Sequence, residues 1–131
     1  MIVIDASALA ELLLGTPRSA RFASRVAHPA LTMHAPDLID LEVGSVFRSL
    51  EVKRVISPAV AANMVADLAR VDLQRYPHVT LLPRVWQLRG NLTTYDAAYV
   101  ALAEALGAPL ATFDANLAAA PGHRARIELY P

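Results

Sequence analysis

The sequence predicts an α/β fold with a mainly parallel sheet of about five strands between helices. Three observations predict it. Short apolar runs recur along the chain, helical patterns separate most of them, and the first run, "IVI", is apolar without alternation, as in a strand buried on both faces. With 131 residues, 55% of them hydrophobic, the chain is long enough for one core, and we expect residues 1–131 to form a single domain.

The first half of the chain is expected to alternate between strands and helices. A strand over Ile2–Asp5 precedes a helix that Ser7 caps and Gly15 ends. The next predicted elements are a helix over Arg18–Val26, a strand over Ala30–His34, and a long helix that Pro36 starts and that runs from Asp37 to about Lys53.

The second half begins with a helix in "SPAVAANMVADLARVDL", with Ser57 as N-cap and Pro58 at its first position. Its apolar face would comprise Val60, Met64, Val65, Leu68 and Val71. The remaining predicted elements are a strand over Val79–Leu82, a helix over Val85–Arg89, a helix capped by Thr93 or Thr94 and closed by Gly107, a strand ending near Thr112, a short helix after Asp114, and a last strand, "RIELY". The two long helices around Ser57 interrupt the alternation, so we expect a helical hairpin that offers a surface to partners.

Composition excludes several classes of function. Twelve basic residues balance twelve acidic ones, so nucleic-acid binding would need a local basic patch. The absence of cysteine excludes disulfides, cysteine-ligated zinc and thiol catalysis. No apolar run reaches the roughly 18 residues that span a membrane, and the N-terminal segment does not resemble a signal peptide. We therefore expect a soluble cytoplasmic protein without membrane contact.

Four acidic residues occupy positions where one site could form. Asp5 follows the first predicted strand, and Asp114 follows the strand that ends near Thr112. Ligands bind outside the carboxyl ends of the strands in open parallel sheets, so these two carboxylates would be neighbours if their strands are adjacent. Asp96 lies in the first turn of one predicted helix, and Glu42 lies beside the apolar seam of another.

Each acid also has a local explanation, in a turn, at a helix start or at a half-buried border. If the four converge, however, one charged pair about 4 Å apart repels by about 4 kcal/mol at an effective dielectric constant near 20. Such a cluster must take up protons or bind cations. Ligands that are all oxygen favour Mg²⁺ or Mn²⁺ over zinc or copper.

Four stretches together resemble the PIN-domain ribonucleases, and closely resemble the VapC-type toxins of bacterial type II toxin–antitoxin pairs. These stretches are "IVIDASAL", "DLEVGSVFRSL", "LRGNLTTYDAAYVALAEALGAPLATFDANLA" and the final "RIELY". The resemblance covers essentially the whole chain. It implies a PIN-like fold and a role for each of the four acids.

By this resemblance, Asp5, Glu42, Asp96 and Asp114 are the catalytic, metal-holding carboxylates. Ser7 matches a small hydroxyl residue two positions after the first acid, and Thr112 matches the threonine of a "TxD" turn, a hydrogen-bond donor behind the ligands. Many relatives carry a further acid in the region of Asn116. An asparagine ligates through its amide oxygen without adding charge, which leaves one or two metal ions as alternatives.

The resemblance also implies an activity and partners. It implies a Mg²⁺- or Mn²⁺-dependent endoribonuclease that cuts structured RNA, such as tRNA or rRNA, leaving a 5′-phosphate and a 3′-hydroxyl, and so inhibits translation. It implies a homodimer, and a heterotetramer or larger assembly with a cognate VapB-type antitoxin. The antitoxin would push an arginine or another polar residue into the acidic site, where a guanidinium can pair with carboxylates.

Candidates for RNA contact lie around the Asp96 helix. Arg84, Arg89 and Asn91 would contact phosphates, or else form salt bridges and caps. Tyr95 could stack on a base. A phospho-acceptor receiver domain is disfavoured because the only lysine, Lys53, lies mid-chain on a helix. The main alternative is a catalytically silent PIN-fold module that binds RNA or protein.

Overall fold

The computed structural model describes residues 1–131 and contains a five-stranded, all-parallel sheet flanked by helices. Its strands are β1 (Ile2–Ile4), β2 (Met33–Pro36), β3 (Leu73–Tyr76), β4 (Leu110–Thr112) and β5 (Ile127–Leu129). Its helices are α1 (Ala6–Leu14), α2 (Ala20–Val26), α3 (Ile39–Val52), α4 (Pro58–Arg70), α5 (Leu82–Gln87), α6 (Thr94–Leu106) and α7 (Ala115–Ala119). The predicted fold class is confirmed. None of the helices combines the length and apolar character needed to span a lipid bilayer.

The strand order is β3-β2-β1-β4-β5, so the central strand β1 pairs with β2 on one side and β4 on the other. The connections reverse direction between β1 and β4, and crevices at such switch points are where open α/β sheets bind ligands. Strands β1 and β4 are wholly buried, and apart from Thr112 their residues are apolar, as expected of strands covered on both faces. The predicted adjacency of the strands before Asp5 and Asp114 is therefore confirmed.

The third strand differs from the prediction. Val79–Leu82, expected as a strand, forms a 3₁₀ turn over Val79–Leu81 and the first residue of α5. The strand is instead Leu73–Tyr76, part of which was assigned to the end of the preceding helix. An edge strand needs no continuous apolar run, and here only Leu73 is fully buried, so the sequence lacks the expected signal.

The second strand is shifted along the chain from the predicted Ala30–His34, because β2 begins at Met33 and ends at Pro36. Pro36 was expected to start the long helix, but it ends β2, and α3 begins at Ile39. The pairing of β2 with β3 continues past Pro36, because the Asp37 N–H donates to the Tyr76 carbonyl at 2.8 Å. An extended conformation up to this point excludes helix before Leu38.

The predicted helical hairpin is present as α3 and α4, which pack together and against α1. Ser57 caps α4, since the Val60 N–H donates to its hydroxyl at 3.2 Å. Only part of the predicted apolar face of α4 is covered: Leu68 is buried, whereas Val60 and Val65 are exposed. Helix α4 therefore contacts the rest of the protein through only part of its predicted apolar face.

Candidate active site

Asp5 lies at the carboxyl end of β1, directly at the switch point of the sheet. It is also the N-cap of α1, because its Oδ1 accepts the Ala8 N–H at 2.8 Å. The sequence predicts Ser7 as that cap, but Ser7 lies two residues further along, in the first turn of α1, and donates its hydroxyl to the same Asp5 oxygen at 2.6 Å. Asp5 is only 5% exposed. A buried carboxylate held by three protein donors is a fixed group with a defined orientation.

Two hydroxyl groups join β1 to β4 behind this carboxylate. The Thr112 hydroxyl donates to Asp5 Oδ2 and accepts the Asp114 N–H at 2.9 Å. The Ser7 hydroxyl accepts the Phe113 N–H at 2.9 Å. Each hydroxyl thus bonds the Asp5 carboxylate and the backbone that leads from β4 to Asp114. Ser7 and Thr112, which the resemblance predicts to support the metal-holding acids, thus both contact Asp5, and their role at a metal site stays a prediction.

Asp114 follows β4 and caps α7. Its Oδ1 accepts the N–H groups of Asn116 at 2.8 Å and Leu117 at 3.4 Å. Asp114 therefore serves as a helix cap and also lies at the same edge of the sheet as Asp5. Asn116 lies in the first turn of α7 and is exposed. Its backbone contacts Asp114, and its side chain has no hydrogen bond to the other acids.

Glu42 and Asp96 approach the same edge from α3 and α6. Thr93 caps α6 by accepting the Asp96 N–H at 3.1 Å, which confirms one of the two predicted caps and fixes the first helical turn. Glu42 Oε1 accepts the hydroxyl of Tyr99 at 3.2 Å. Tyr99 is almost wholly buried and lies one turn after Asp96 on α6, so it holds Glu42 from the helix that carries Asp96.

The four acids share one electrostatic environment. Burial raises the pKa of Asp5 above its usual value, against the opposing effect of its hydrogen bonds, and the charge of Asp96 raises it further. Burial likewise raises the pKa of Glu42, helped by the charges of Asp96 and Asp5, and that of Asp96, helped by Asp114. Asp96 is thus coupled to each of the other three carboxylates. This coupling favours the uptake of protons or a cation.

The side chains do not close around one point in this structure. No three acidic or histidine side chains are close enough together to hold a metal ion. The donor set nevertheless fits a hard divalent ion by its chemistry, since it offers only carboxylate oxygens and these repel one another at a ligand-binding edge. Asp5 is locked by its hydrogen bonds, so closure would come from the half-buried Glu42, Asp96 and Asp114.

The four predicted RNA-contacting residues separate into two groups. Arg84 forms a two-pronged ion pair with Glu104, at 2.7 and 3.0 Å, near the C-terminal end of α6, at the opposite end from Asp96. The structure thus supports the salt-bridge alternative for Arg84. Arg89 lies against Trp86, with its guanidinium 4.6 Å from the ring centroid and one N–H on the Trp86 carbonyl.

The other two predicted contacts remain polar and exposed. The Asn91 side chain lies against Gly122, so close that a Cβ at Gly122 would be 2.5 Å from the Asn91 amide nitrogen. Tyr95 is 62% exposed and lines a groove of about 540 Å³ with Leu41, Glu42 and Asp96. Of the four predicted contacts, Tyr95 is therefore the one placed beside the acids.

Sequence reasoning missed Tyr99 and Leu41. Tyr99 follows Asp96 by three residues on one helix, a spacing that puts both on neighbouring positions of its surface. Its contact with Glu42 spans 57 residues, and no local signal reports it. Leu41 is 81% exposed next to Glu42, and an exposed leucine in a helix gives no sequence signal of its own.

Comparison with known proteins agrees with this architecture. The family model described as "PIN domain" matches residues 2–122. Ribonuclease VapC12 of Mycobacterium tuberculosis is 43% identical over 129 residues, covering 98% of this chain and 98% of that protein.

Two solved structures share the fold at low sequence identity. VapBC2 from Rickettsia felis, bound to a DNA fragment from its promoter, aligns with a TM-score of 0.71 at 12% identity and covers 100% of both chains. VapC20 of Mycobacterium tuberculosis, a sarcin-ricin loop cleaving toxin, aligns with a TM-score of 0.64 at 17% identity, covering 91% of this chain and 94% of that one. The extent of the family match and the 43% identity decide the assignment: the chain belongs to the PIN-domain family and, within it, to the VapC-type ribonucleases.

Proposed function

We propose that this chain is the toxin of a type II toxin–antitoxin pair and acts as a Mg²⁺- or Mn²⁺-dependent endoribonuclease on structured RNA, such as tRNA or rRNA, to inhibit translation. The observation that carries the proposal is the buried Asp5 carboxylate at the switch point, coupled by charge to Glu42 and Asp96. We take residues 1–131 as one PIN domain, and the single continuous hydrophobic core supports this.

In the proposed reaction, Asp5, Glu42, Asp96 and Asp114 hold the metal through carboxylate oxygens. When bound, a divalent ion would supply charge for the scissile phosphate and lower the pKa of an attacking water. Asn116 adds no charge, so the acids present suffice for one ion and leave a second as an open alternative.

The chain's own residues have further roles in this proposal. Ser7 and Thr112 orient the Asp5 carboxylate, and both already bond it in the structure. Tyr99 orients Glu42 by donating its hydroxyl. Tyr95 lies in the groove beside Asp96, where an exposed aromatic ring suits stacking on an unpaired base. Arg89 and Asn91 remain proposed RNA contacts, while Arg84 is committed to Glu104.

The partners follow from the same proposal. We expect a cognate VapB-type antitoxin, since the Rickettsia felis neighbour is a VapBC complex, and a homodimer that forms a heterotetramer or larger assembly with it. Burial, and after it the charges of neighbouring acids, raises the pKa of Glu42 and of Asp96, and an antitoxin arginine placed among them would favour their charged forms. Structured RNA as substrate has its precedent in VapC20, a sarcin-ricin loop cleaving toxin. The proposed site of action is the cytoplasm.

A cleavage assay tests the activity. The purified chain is incubated with total RNA and Mg²⁺ or Mn²⁺, beside EDTA, Asp5→Asn and Asp67→Asn samples. Asp67 is an exposed α4 acid whose carboxylate lies 3.7 Å from Arg70, and it provides a matched loss of one charge. We expect cleavage with metal in the wild type and in Asp67→Asn, and none with EDTA or in Asp5→Asn.

Other outcomes distinguish the alternatives. Cleavage that persists in Asp5→Asn contradicts the role of Asp5. No cleavage with either metal favours the silent PIN-fold binding module. If cleavage depends on metal and on Asp5, sequencing of the 5′ ends that form after induction of the chain in cells would identify the RNA and the cleavage position.

A further inference from the structure

Three aromatic rings connect the candidate active site to helix α2. Phe113 lies in the chain between Thr112 and Asp114, and its N–H is held by Ser7. Its ring stacks on Tyr130 at 5.7 Å and meets the edge of Phe22, from α2, at 5.9 Å. Phe22 also meets Tyr130 at 5.1 Å. The aromatic cluster therefore fixes the position of α2 relative to the site.

Three successive arginines, Arg18, Arg21 and Arg25, form an arginine row beside this cluster, and the first two lie on its rings. The Arg18 guanidinium carbon is 4.9 Å from the ring centroid of Phe113, and that of Arg21 is 5.6 Å from the centroid of Tyr130. Arg25 follows one turn later on α2. A guanidinium stacked on a ring keeps the N–H groups of its edge available for an acceptor. The ring also limits the conformations of the side chain, so less entropy is lost on binding.

The arginine row opens into a groove between α2 and the edge strand β5. The groove has a volume of about 900 Å³, and its polar lining includes Arg21, Arg25, His28 and Glu128. Arg18 lies in the 3₁₀ turn Pro17–Ser19 that leads into α2, and at about 1.5–2 Å of rise per residue positions 18 to 25 span about 11 Å. At an axial spacing of about 3.4 Å per strand, that length covers about three steps between successive phosphates.

The charges of the groove favour an anionic ligand. Glu128 is its acid, and it is neutralised by Arg25 at 3.0 Å. Arg18 pairs with Glu11 at 3.2 Å, and its side chain is 49% exposed. Arg21 takes part in no ion pair and no side-chain hydrogen bond. Because a guanidinium has five N–H donors, each paired arginine can also donate hydrogen bonds to a phosphate as a second partner. The three guanidinium groups thus carry one positive charge more than the two acids that they pair with, and Arg18 lies on the ring of Phe113, the residue before Asp114.

We propose that Arg18, Arg21 and Arg25 form a phosphate-binding track that leads an RNA strand along the α2–β5 groove to the acidic site. This inference deepens the proposed function and rests on it, since the strand is the substrate of that site. The rigid aromatic cluster keeps a fixed distance between the track and the Asp114 turn. A chain with zero net charge thereby acquires a local basic surface where RNA has to enter.

The test compares two triple variants that lose the same charge. The track variant carries Arg18→Gln, Arg21→Gln and Arg25→Gln. The control carries Arg48→Gln, Arg54→Gln and Arg70→Gln, three exposed positions on the α3–α4 hairpin. Binding of a fluorescein-labelled oligouridylate is followed by anisotropy in EDTA at several salt concentrations, and cleavage of total RNA is followed with Mn²⁺. Thermal unfolding of each variant verifies that it folds.

We expect the track variant to bind the oligouridylate about tenfold more weakly, with a slope of log Kd against log salt reduced by about 2, because three single-strand phosphate contacts are lost. In the control variant, the reduction of this slope should be less than half of the reduction in the track variant. The single variant Arg21→Gln, which breaks no ion pair, should reduce the slope by about 0.7 and raise KM more than it lowers kcat.

The outcomes separate this inference from the proposed activity. If the wild type cleaves RNA and the track variant binds and cleaves as well as the control, the track is refuted while the activity stands. If the track variant keeps its RNA affinity but loses affinity for an acidic peptide, the groove is a protein interface and the inference is wrong. If no variant cleaves but only the track variant loses RNA binding, the track stands and the activity fails.

Discussion

Replacing Asp5 by asparagine should leave the metal-free fold intact or make it more stable, although it should abolish activity. The amide oxygen can still accept from Ser7 and from the Ala8 N–H, which now bond Asp5 Oδ1. The amide NH₂ can donate to Thr112, whose hydroxyl now donates to Asp5. The substitution therefore conserves the shape and most hydrogen bonds and removes one buried negative charge.

The size of the effect follows from proton linkage. Burial and the charge of Asp96 raise the pKa of Asp5 in the folded state. A raised pKa means that stability is greatest below the unfolded pKa and is lost as the pH rises through the folded pKa. Each unit of that shift destabilises the metal-free wild type by about 1.4 kcal/mol near neutral pH. The asparagine variant lacks this loss.

Asp5→Ala provides the contrast. It removes the N-cap of α1, at a cost of about 1 kcal/mol, and it leaves the Ser7 and Thr112 hydroxyls without their acceptor, at about 1–3 kcal/mol. Both substitutions remove the buried charge, so its relief is the same in each and the difference between them is the sum of these two costs. We therefore expect alanine to destabilise by about 2–4 kcal/mol relative to asparagine.

Urea unfolding in EDTA, followed by circular dichroism from about pH 4 to about pH 8, measures these differences. The advantage of Asp5→Asn over wild type should grow with pH and vanish near pH 4. With Mn²⁺ at about 100 times its Kd, the wild type should gain about 2.7 kcal/mol and the variant much less. A loss of more than about 1 kcal/mol in metal-free Asp5→Asn, or a difference that does not depend on pH, would refute this reasoning.

Three further substitutions probe the groups around the site and the fold. Glu104→Gln should lower the free energy of unfolding by about 2 kcal/mol near neutral pH, because the Arg84 guanidinium lowers the pKa of Glu104 to about 2 in the folded protein. The wild type loses this stabilisation as the pH falls from about 5 to about 2, so the free energy of unfolding should change less with pH in the variant. Urea unfolding at several pH values measures both effects. Tyr99→Phe should raise the pKa of Glu42 and weaken Mn²⁺ binding about 10–100-fold by calorimetry, and unchanged affinity would contradict the orienting role. Ser7→Ala should lower cleavage by a similar factor and destabilise by about 1–3 kcal/mol, because the Phe113 N–H loses its acceptor; equal activity would exclude Ser7 from positioning the site.

The sequence alone predicted the elements whose signals are local. The buried strand before Asp5, the caps at Ser57 and Thr93, and the left-handed glycines Gly15 and Gly107 that end α1 and α6 are all present. Hydrophobic patterns and caps act within one turn or one strand, so they can be read without knowing the fold. The same reasoning failed at Val79–Leu82 and at β3, because an edge strand is defined by its neighbour and not by its own composition.

For the site, the sequence determined which acids were candidates and that two of them follow strands of one sheet. Only the tertiary structure decided that those strands are adjacent, that Ser7 and Thr112 both bond Asp5, and that Tyr99 reaches Glu42 across 57 residues. The tertiary structure also decided that Arg84 forms an ion pair with Glu104. It placed Arg18 and Arg21 on the aromatic rings of the residues that directly follow β4 and β5. The physical reason is common to all these contacts: hydrogen bonds and charge coupling depend on distances between segments remote in sequence, and packing alone sets those distances.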